Sequence, residues 1–151
     1  MNIIIIGIHL KAIPNSSEKC AIRESQAIII QQIILEYYNN YEIIVIGDFN
    51  DYDNAISDYT NNKPNSKVLD IIKGGSGYNP INYKLYNTSE FIEKDKRKTT
   101  SMSMIDHILV TKNLTKYIKD VYIFTQYNKN IGTNYNSDHY PIVVDFDFSG
   151  V

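Results

Sequence analysis

Four short polar clusters interrupt or bound apolar runs, and their side chains are of the kinds that move protons and hold cations. His9 ends the run that starts at Ile3, and Gly47-Asp48-Phe49-Asn50 ends the run Ile43–Ile46. Asp106-His107 opens Ile108-Leu109-Val110, and Ser137-Asp138-His139-Tyr140 precedes Pro141-Ile142. Together they offer three Asp, one Asn and three His. That set suits proton transfer and the holding of a divalent cation beside a phosphate. Carboxylate oxygens match magnesium, which keeps several waters and takes one or two protein carboxylates. A His beside an Asp supplies a donor whose protonation can be held near neutral pH. Each cluster alone has a plainer reading: Asp48 and Asn50 as a turn, Asp138-His139 as a cap, His107 as a packed core histidine.

The elements that must position these residues are legible in outline. Ile3–Leu10 is apolar at almost every position and reads as a strand buried on both faces. Pro14-Asn15-Ser16-Ser17 offers a turn and helix caps, and helical spacing runs from about Glu18 to Tyr38. Ile22, Ile29 and Ile33, widened by Ile30, Ile34 and Tyr37, form the expected buried stripe; Arg23, Glu24 and Gln31 are expected to stay wet, with Arg23 and Gln26 holding the helix in place. Ile43–Ile46 completes a βαβ unit with parallel strands. Beyond it, Asp51–Asn65 is polar and turn-rich, and Val68–Ile72 suggests a short helix. Glu93–Ser101 reads as a charged loop, with Lys94, Lys96, Arg97 and Lys98 but no interleaved aromatic to stack a base. Ile105–Val110, Tyr117–Thr125 and Pro141–Phe148 read as strands.

Composition narrows the class. The chain has 151 residues, is 43% hydrophobic and 21% charged, and carries a formal net charge of -2, so it reads as one globular domain and not as a chain held to duplex DNA by net charge. Isoleucine outnumbers leucine about fourfold, a bias of coding composition. The single Cys20 excludes an intramolecular disulfide and a multi-cysteine zinc site. Neither a signal peptide nor a membrane span is evident, so the expected location is intracellular, cytoplasmic or nuclear, with no membrane partner.

Taken in order, Gly7-Ile8-His9-Leu10, Ile46-Gly47-Asp48-Phe49-Asn50-Asp51, Ser103-Met104-Ile105-Asp106-His107-Ile108-Leu109-Val110 and Asn136-Ser137-Asp138-His139-Tyr140-Pro141-Ile142 resemble the endonuclease/exonuclease/phosphatase superfamily of DNase I-like proteins. The resemblance implies an α/β fold, half of a four-layer DNase I-like sandwich with a mixed sheet and helices mainly on one face. It implies a metal-dependent phosphoesterase, a nuclease or phosphatase. Asp48 would orient or deprotonate the attacking water, and Asn50 would bond the scissile phosphate. His139, oriented by Asp106, would stabilise developing charge, and His9 would be a further phosphate donor. Asp138 and Asp48 would hold the metal, magnesium or alternatively manganese.

The chain matches only the second half of that family's domain. Residues 1–151 are therefore expected to be a single partial domain lacking its N-terminal half, including a metal-binding Glu that Glu18, Glu24 and Glu36 do not replace by motif. The Trp-rich stretch that related members often carry before Ile105-Asp106 is also absent, with Thr99-Thr100-Ser101 in a shortened loop. The expected partners are a phosphoester substrate, either nucleic acid or a small phosphorylated molecule. An apolar sheet face would be left for a complementary N-terminal half or for self-association. The alternative is a catalytically inactive remnant or interaction module.

Overall fold

β1 (Ile3–His9) and β2 (Glu42–Asp48) lie parallel, paired from Ile3 opposite Glu42 to His9 opposite Asp48, with α1 (Ser17–Tyr37) crossing between them. A computed structural model of the chain describes residues 1–126 and 137–150. Ser16 caps α1, its side-chain oxygen accepting from the Lys19 N–H at 3.4 Å. After a long irregular stretch come α2 (Val68–Ile72), a three-residue β3 (Leu85–Asn87) and β4 (Asp106–Thr111). β4 runs antiparallel to both β2 and β3, which gives a mixed sheet in the order β1-β2-β4-β3. β5 (Ile118–Ile123) and β6 (Ile142–Phe146) form a separate antiparallel pair.

The pleat sorts the core into two layers. One face of the sheet, with Ile43, Val45, Leu85 and Leu109, packs against Ala27, Ile30 and Ile34 of α1 and Val68, Leu69, Ile71 and Ile72 of α2. The other face, with Ile44, Ile108 and Val110, meets Ile118, Ile142, Val144 and Phe146 of the β5–β6 pair. Helices on one face of a mixed sheet are the α/β arrangement expected from the motif order.

Two expectations are corrected. β1 is not buried on both faces: Ile3 and Ile5 are 37% and 67% exposed. β1 is an edge strand, and the β5–β6 layer packs on β2 and β4 without reaching it. The buried face of α1 is also different from the one expected. Ile22, Ile29 and Ile33 are exposed, whereas Arg23 and Gln31 are buried. Isoleucines lie all around this helix, so apolar spacing carries no phase, and specific polar bonds decide the orientation instead. The Arg23 guanidinium donates to the carbonyls of Lys11, Ile13 and Pro14 at 3.1, 3.0 and 2.9 Å. The Gln31 amide donates to the carbonyls of Ile71 and Ser76 at 3.0 and 2.9 Å. Gln26 does help fix the helix, accepting from the Lys11 N–H at 3.0 Å.

Candidate active site

The site begins as a line of cross-strand neighbours. His9 of β1 pairs with Asp48 of β2, and Asp48 pairs with Asp106 of β4. By alternation all three share a face with Ile5, Ile44 and Val110, at the end of the sheet where β1 and β2 finish and β4 starts. Gly47 makes the close approach possible: its φ is +142°, and a Cβ there would lie 1.9 Å from the Ile8 carbonyl oxygen. Asn50 then turns the chain in the left-handed region at φ 48°, a conformation Asn tolerates. Its backbone N–H donates to Asp48 Oδ1 at 2.8 Å and its side-chain amide to the Leu10 carbonyl at 3.1 Å, tying the loop after β2 to the end of β1.

His139 completes the cluster from the loop before β6. Its Nδ1–H donates to Asp106 Oδ2 at 2.8 Å. Ligand atoms of Asp48, Asp106 and His139 all lie within 4.8 Å of one another. His9 Nε2 stands 3.6 Å from Asp48 Oδ2 on an exposed side chain. Asp138 is exposed and lies outside that close group, although its charge reaches His139. Asn136 lies outside the described residues.

Two carboxylates set directly opposite each other on adjacent strands repel. Burial pushes the Asp48 carboxyl up from its ordinary value, and the nearby Asp106 charge adds to this against the Asn50 N–H and the two histidines. Partial burial pulls His139 down, but the hydrogen bond and charge of Asp106 outweigh it, with Asp48 and Asp138 adding, so the imidazole is held above its ordinary value. The arrangement can thus supply a carboxylate of raised basicity beside an imidazole that favours its charged, donating form.

His107 shows the opposite environment one residue along β4. It is buried on the helix face, and burial pushes its imidazole below the ordinary value. Nε2–H donates to the Asp51 carbonyl at 3.0 Å, while Nδ1 accepts from the Asn87 amide at 3.1 Å. Asn87 also donates to Asp53 at 2.9 Å, and Asp53 pairs with Lys73 at 2.7 Å. His107 is therefore the packed core histidine of the plainer reading.

Sequence reasoning missed the part played by Thr99. It is fully buried, and its hydroxyl accepts from the Ile105 and Asp106 N–H groups, both at 3.2 Å. Its carbonyl accepts from the Tyr140 N–H at 2.6 Å. One residue thus holds both arms of the Asp106–His139 pair. No periodicity marks it, because all its partners come from tertiary contact.

A mixed sheet with helices on one face, and acids and histidines gathered at its strand ends, defines a DNase I-like fold. The chain belongs to the family described as Endonuclease-reverse transcriptase, which it matches over residues 13–143. This is the superfamily that the four motifs resemble. Solved structures agree on the fold. The 3' phosphatase NExo from Neisseria, bound to product DNA hairpin, matches with 17% identity and a TM-score of 0.66, over 95% of this chain and 61% of that one. The 3'-5' exonuclease NExo from Neisseria meningitidis gives a TM-score of 0.68 at 17% identity over the same shares, 95% and 61%. The APE2 catalytic domain of Xenopus laevis gives 0.62 at 18% identity, over 95% of this chain and 49% of that one. The chain thus spans 61% or less of the length of these proteins. A search of curated protein sequences found no match. Among the described residues, no helix is long and apolar enough to cross a membrane.

Proposed function

We propose that the chain carries the phosphoester-hydrolysing end of a divalent-metal-dependent nuclease or phosphatase. The observation that carries this reading is the convergence of Asp48, Asp106 and His139 within 4.8 Å. The donor set fits a hard divalent cation: opposed carboxylates need positive charge between them, and oxygen ligands suit magnesium or manganese. Asp48 and Asp106 would hold the ion, with Asp138 contributing to its water shell. When bound, the ion supplies Lewis-acid polarisation of a phosphoryl oxygen.

The protein's own groups do the rest. Asp48, through the carboxylate oxygen turned away from the ion, orients the attacking water and takes its proton. His139, fixed by Asp106 through Nδ1, presents Nε2 to a phosphoryl oxygen and stabilises the charge that grows there. Asn50 fixes Asp48 through its backbone N–H and offers its second amide hydrogen to the phosphate, and His9 donates from the other side. As the new P–O bond forms, the ester P–O bond breaks and the leaving oxygen takes a proton from solvent.

The exposed edge beyond Asp48 supports a further part of this reading. Ile3 and Ile5 form an apolar strip continuous with the covered Ile44 and Val110. Further polypeptide covering it, of the kind that the longer structural neighbours have room for, would complete the domain and its metal ligands. The same strip favours a second reading, a catalytically silent interaction module that docks through β1. Hydrolysis of thymidine 5'-p-nitrophenyl phosphate with added Mg²⁺ separates the two. Turnover that falls by about a hundredfold or more in Asp48→Ala supports the enzyme. Turnover unchanged in that variant overturns it.

A further inference from the structure

The loop that feeds Asp106 carries a feature that the hydrolytic chemistry does not use. The Lys98 ammonium lies over the Tyr59 ring, 5.0 Å from its centre, and Tyr59 is 48% exposed. The surrounding framework is built firmly. Buried Asp58 accepts from the Asn62 N–H and side-chain amide, both at 2.8 Å, and from the Met104 N–H at 3.3 Å. Arg97 donates to the carbonyls of Ile92, Ser57 and Glu90, and its own carbonyl accepts from the Tyr59 N–H at 3.1 Å. Thr60 closes the ledge through a 2.7 Å bond to the Met102 carbonyl. A buried acid and a guanidinium are thus engaged in presenting an aromatic ring to solvent.

The ledge adjoins the site. Lys98 precedes Thr99, the residue bonded to the Asp106 N–H. Two other cations of the 94–98 segment are differently engaged: Lys96 pairs with Glu93 at 2.5 Å, and Arg97 is occupied by carbonyls. Among the described residues no carboxylate pairs with Lys98. The aromatic that the basic run lacks in sequence is supplied by the fold, from nearly forty residues upstream.

We propose that Tyr59 and Lys98 form a subsite for a single-stranded nucleotide flanking the scissile phosphate, its base stacked on the Tyr59 ring and its phosphate met by the Lys98 ammonium. An aromatic ring beside a lysine suits this ligand because every base offers a π-face and every nucleotide a negative charge. This proposal rests on the phosphoester-hydrolase reading and names its substrate class.

The test uses the full chain and a short single-stranded oligonucleotide carrying 5-iodouracil, cross-linked by light, with the site mapped by mass spectrometry. Oligonucleotide affinity is measured alongside by fluorescence anisotropy. The expected cross-link falls on Tyr59. Tyr59→Ala weakens affinity about tenfold, Tyr59→Phe keeps it, and Lys98→Ala weakens it with a shallower salt dependence. All three should hydrolyse methyl p-nitrophenyl phosphate, a diester that carries no base, like the unmodified chain. A cross-link elsewhere, or unchanged affinity in Tyr59→Ala, overturns the subsite and leaves the hydrolase reading standing. Equal hydrolysis of the small ester by the unmodified chain and by Asp48→Ala overturns the hydrolase reading, while the cross-link still reports on the ledge. Absence of oligonucleotide binding with the small ester still turned over overturns the nucleic-acid assignment.

Discussion

The two faces of the β1-β2-β4-β3 sheet place similar residues under opposite conditions. On the helix face His107 is enclosed, shifted toward its neutral form by burial and bonded into the Lys73–Asp53–Asn87 chain. On the other face, one residue away along β4, Asp106 meets solvent and a histidine whose charged form is favoured. The pleat alone decides which residue goes where. The helix face ties His107, Asn87, Asp53 and Lys73 into one bonded chain, while the open face sets two acids opposite each other. A dry, closed network builds stability, whereas opposed acids at an open strand end cost it.

The closed face should give the largest response to mutation. Asp53→Ala leaves Lys73 without its partner and Asn87 with an unmatched hydrogen, and is expected to cost about 3 kcal/mol in urea unfolding. The accompanying pH dependence has a definite sign. Burial raises the Asp53 carboxyl, but Lys73 and Asn87 outweigh it and hold it below its ordinary value. Its contribution is therefore fully present above the unfolded carboxyl range and is lost as pH falls through the lowered folded value. An acid unfolding curve of Asp53→Ala that matches the unmodified chain would blur the contrast between the faces.

Thr99→Val comes next, because it removes the acceptor shared by the Ile105 and Asp106 N–H groups. The expected loss is about 1–3 kcal/mol of stability, together with a fall in kcat, and Thr99→Ser restores both. Equal kcat in the valine and serine variants would show that the hydroxyl does not position Asp106. The smallest effect belongs to the open edge. Ile5→Thr, on an exposed side chain, should change the unfolding free energy by less than about 0.5 kcal/mol. Any self-association through β1 should weaken in the same variant, as read by sedimentation velocity.

The sequence revealed more of the site than of the packing around it. Asp48, Asp106 and His139 were visible because polar residues stand out at the ends of isoleucine-rich strands, and the parallel pairing of β1 with β2 followed from strand, helix, strand order. The orientation of α1 was hidden, since isoleucines on every side gave no phase and Arg23 and Gln31 turned inward for backbone carbonyls up to 45 residues away. β3 was missed because a three-residue strand leaves no alternation to read. Thr99 and the Tyr59–Lys98 contact share one cause of invisibility, partners brought together only by tertiary folding.

The open face sets Asp48 and Asp106 against His139, and the imidazole reports on the charge gathered there. NMR titration of the His139 imidazole should give a midpoint above the ordinary histidine value in the metal-free chain. The Asp106→Asn variant should bring it down, and Mg²⁺ should lower it further in the unmodified chain by competing for the same carboxylates. Stability carried by this pair would be fully present below the unfolded histidine value and lost as pH rises through the raised folded one. A His139 midpoint at the ordinary value, insensitive to both Asp106→Asn and Mg²⁺, would contradict the account.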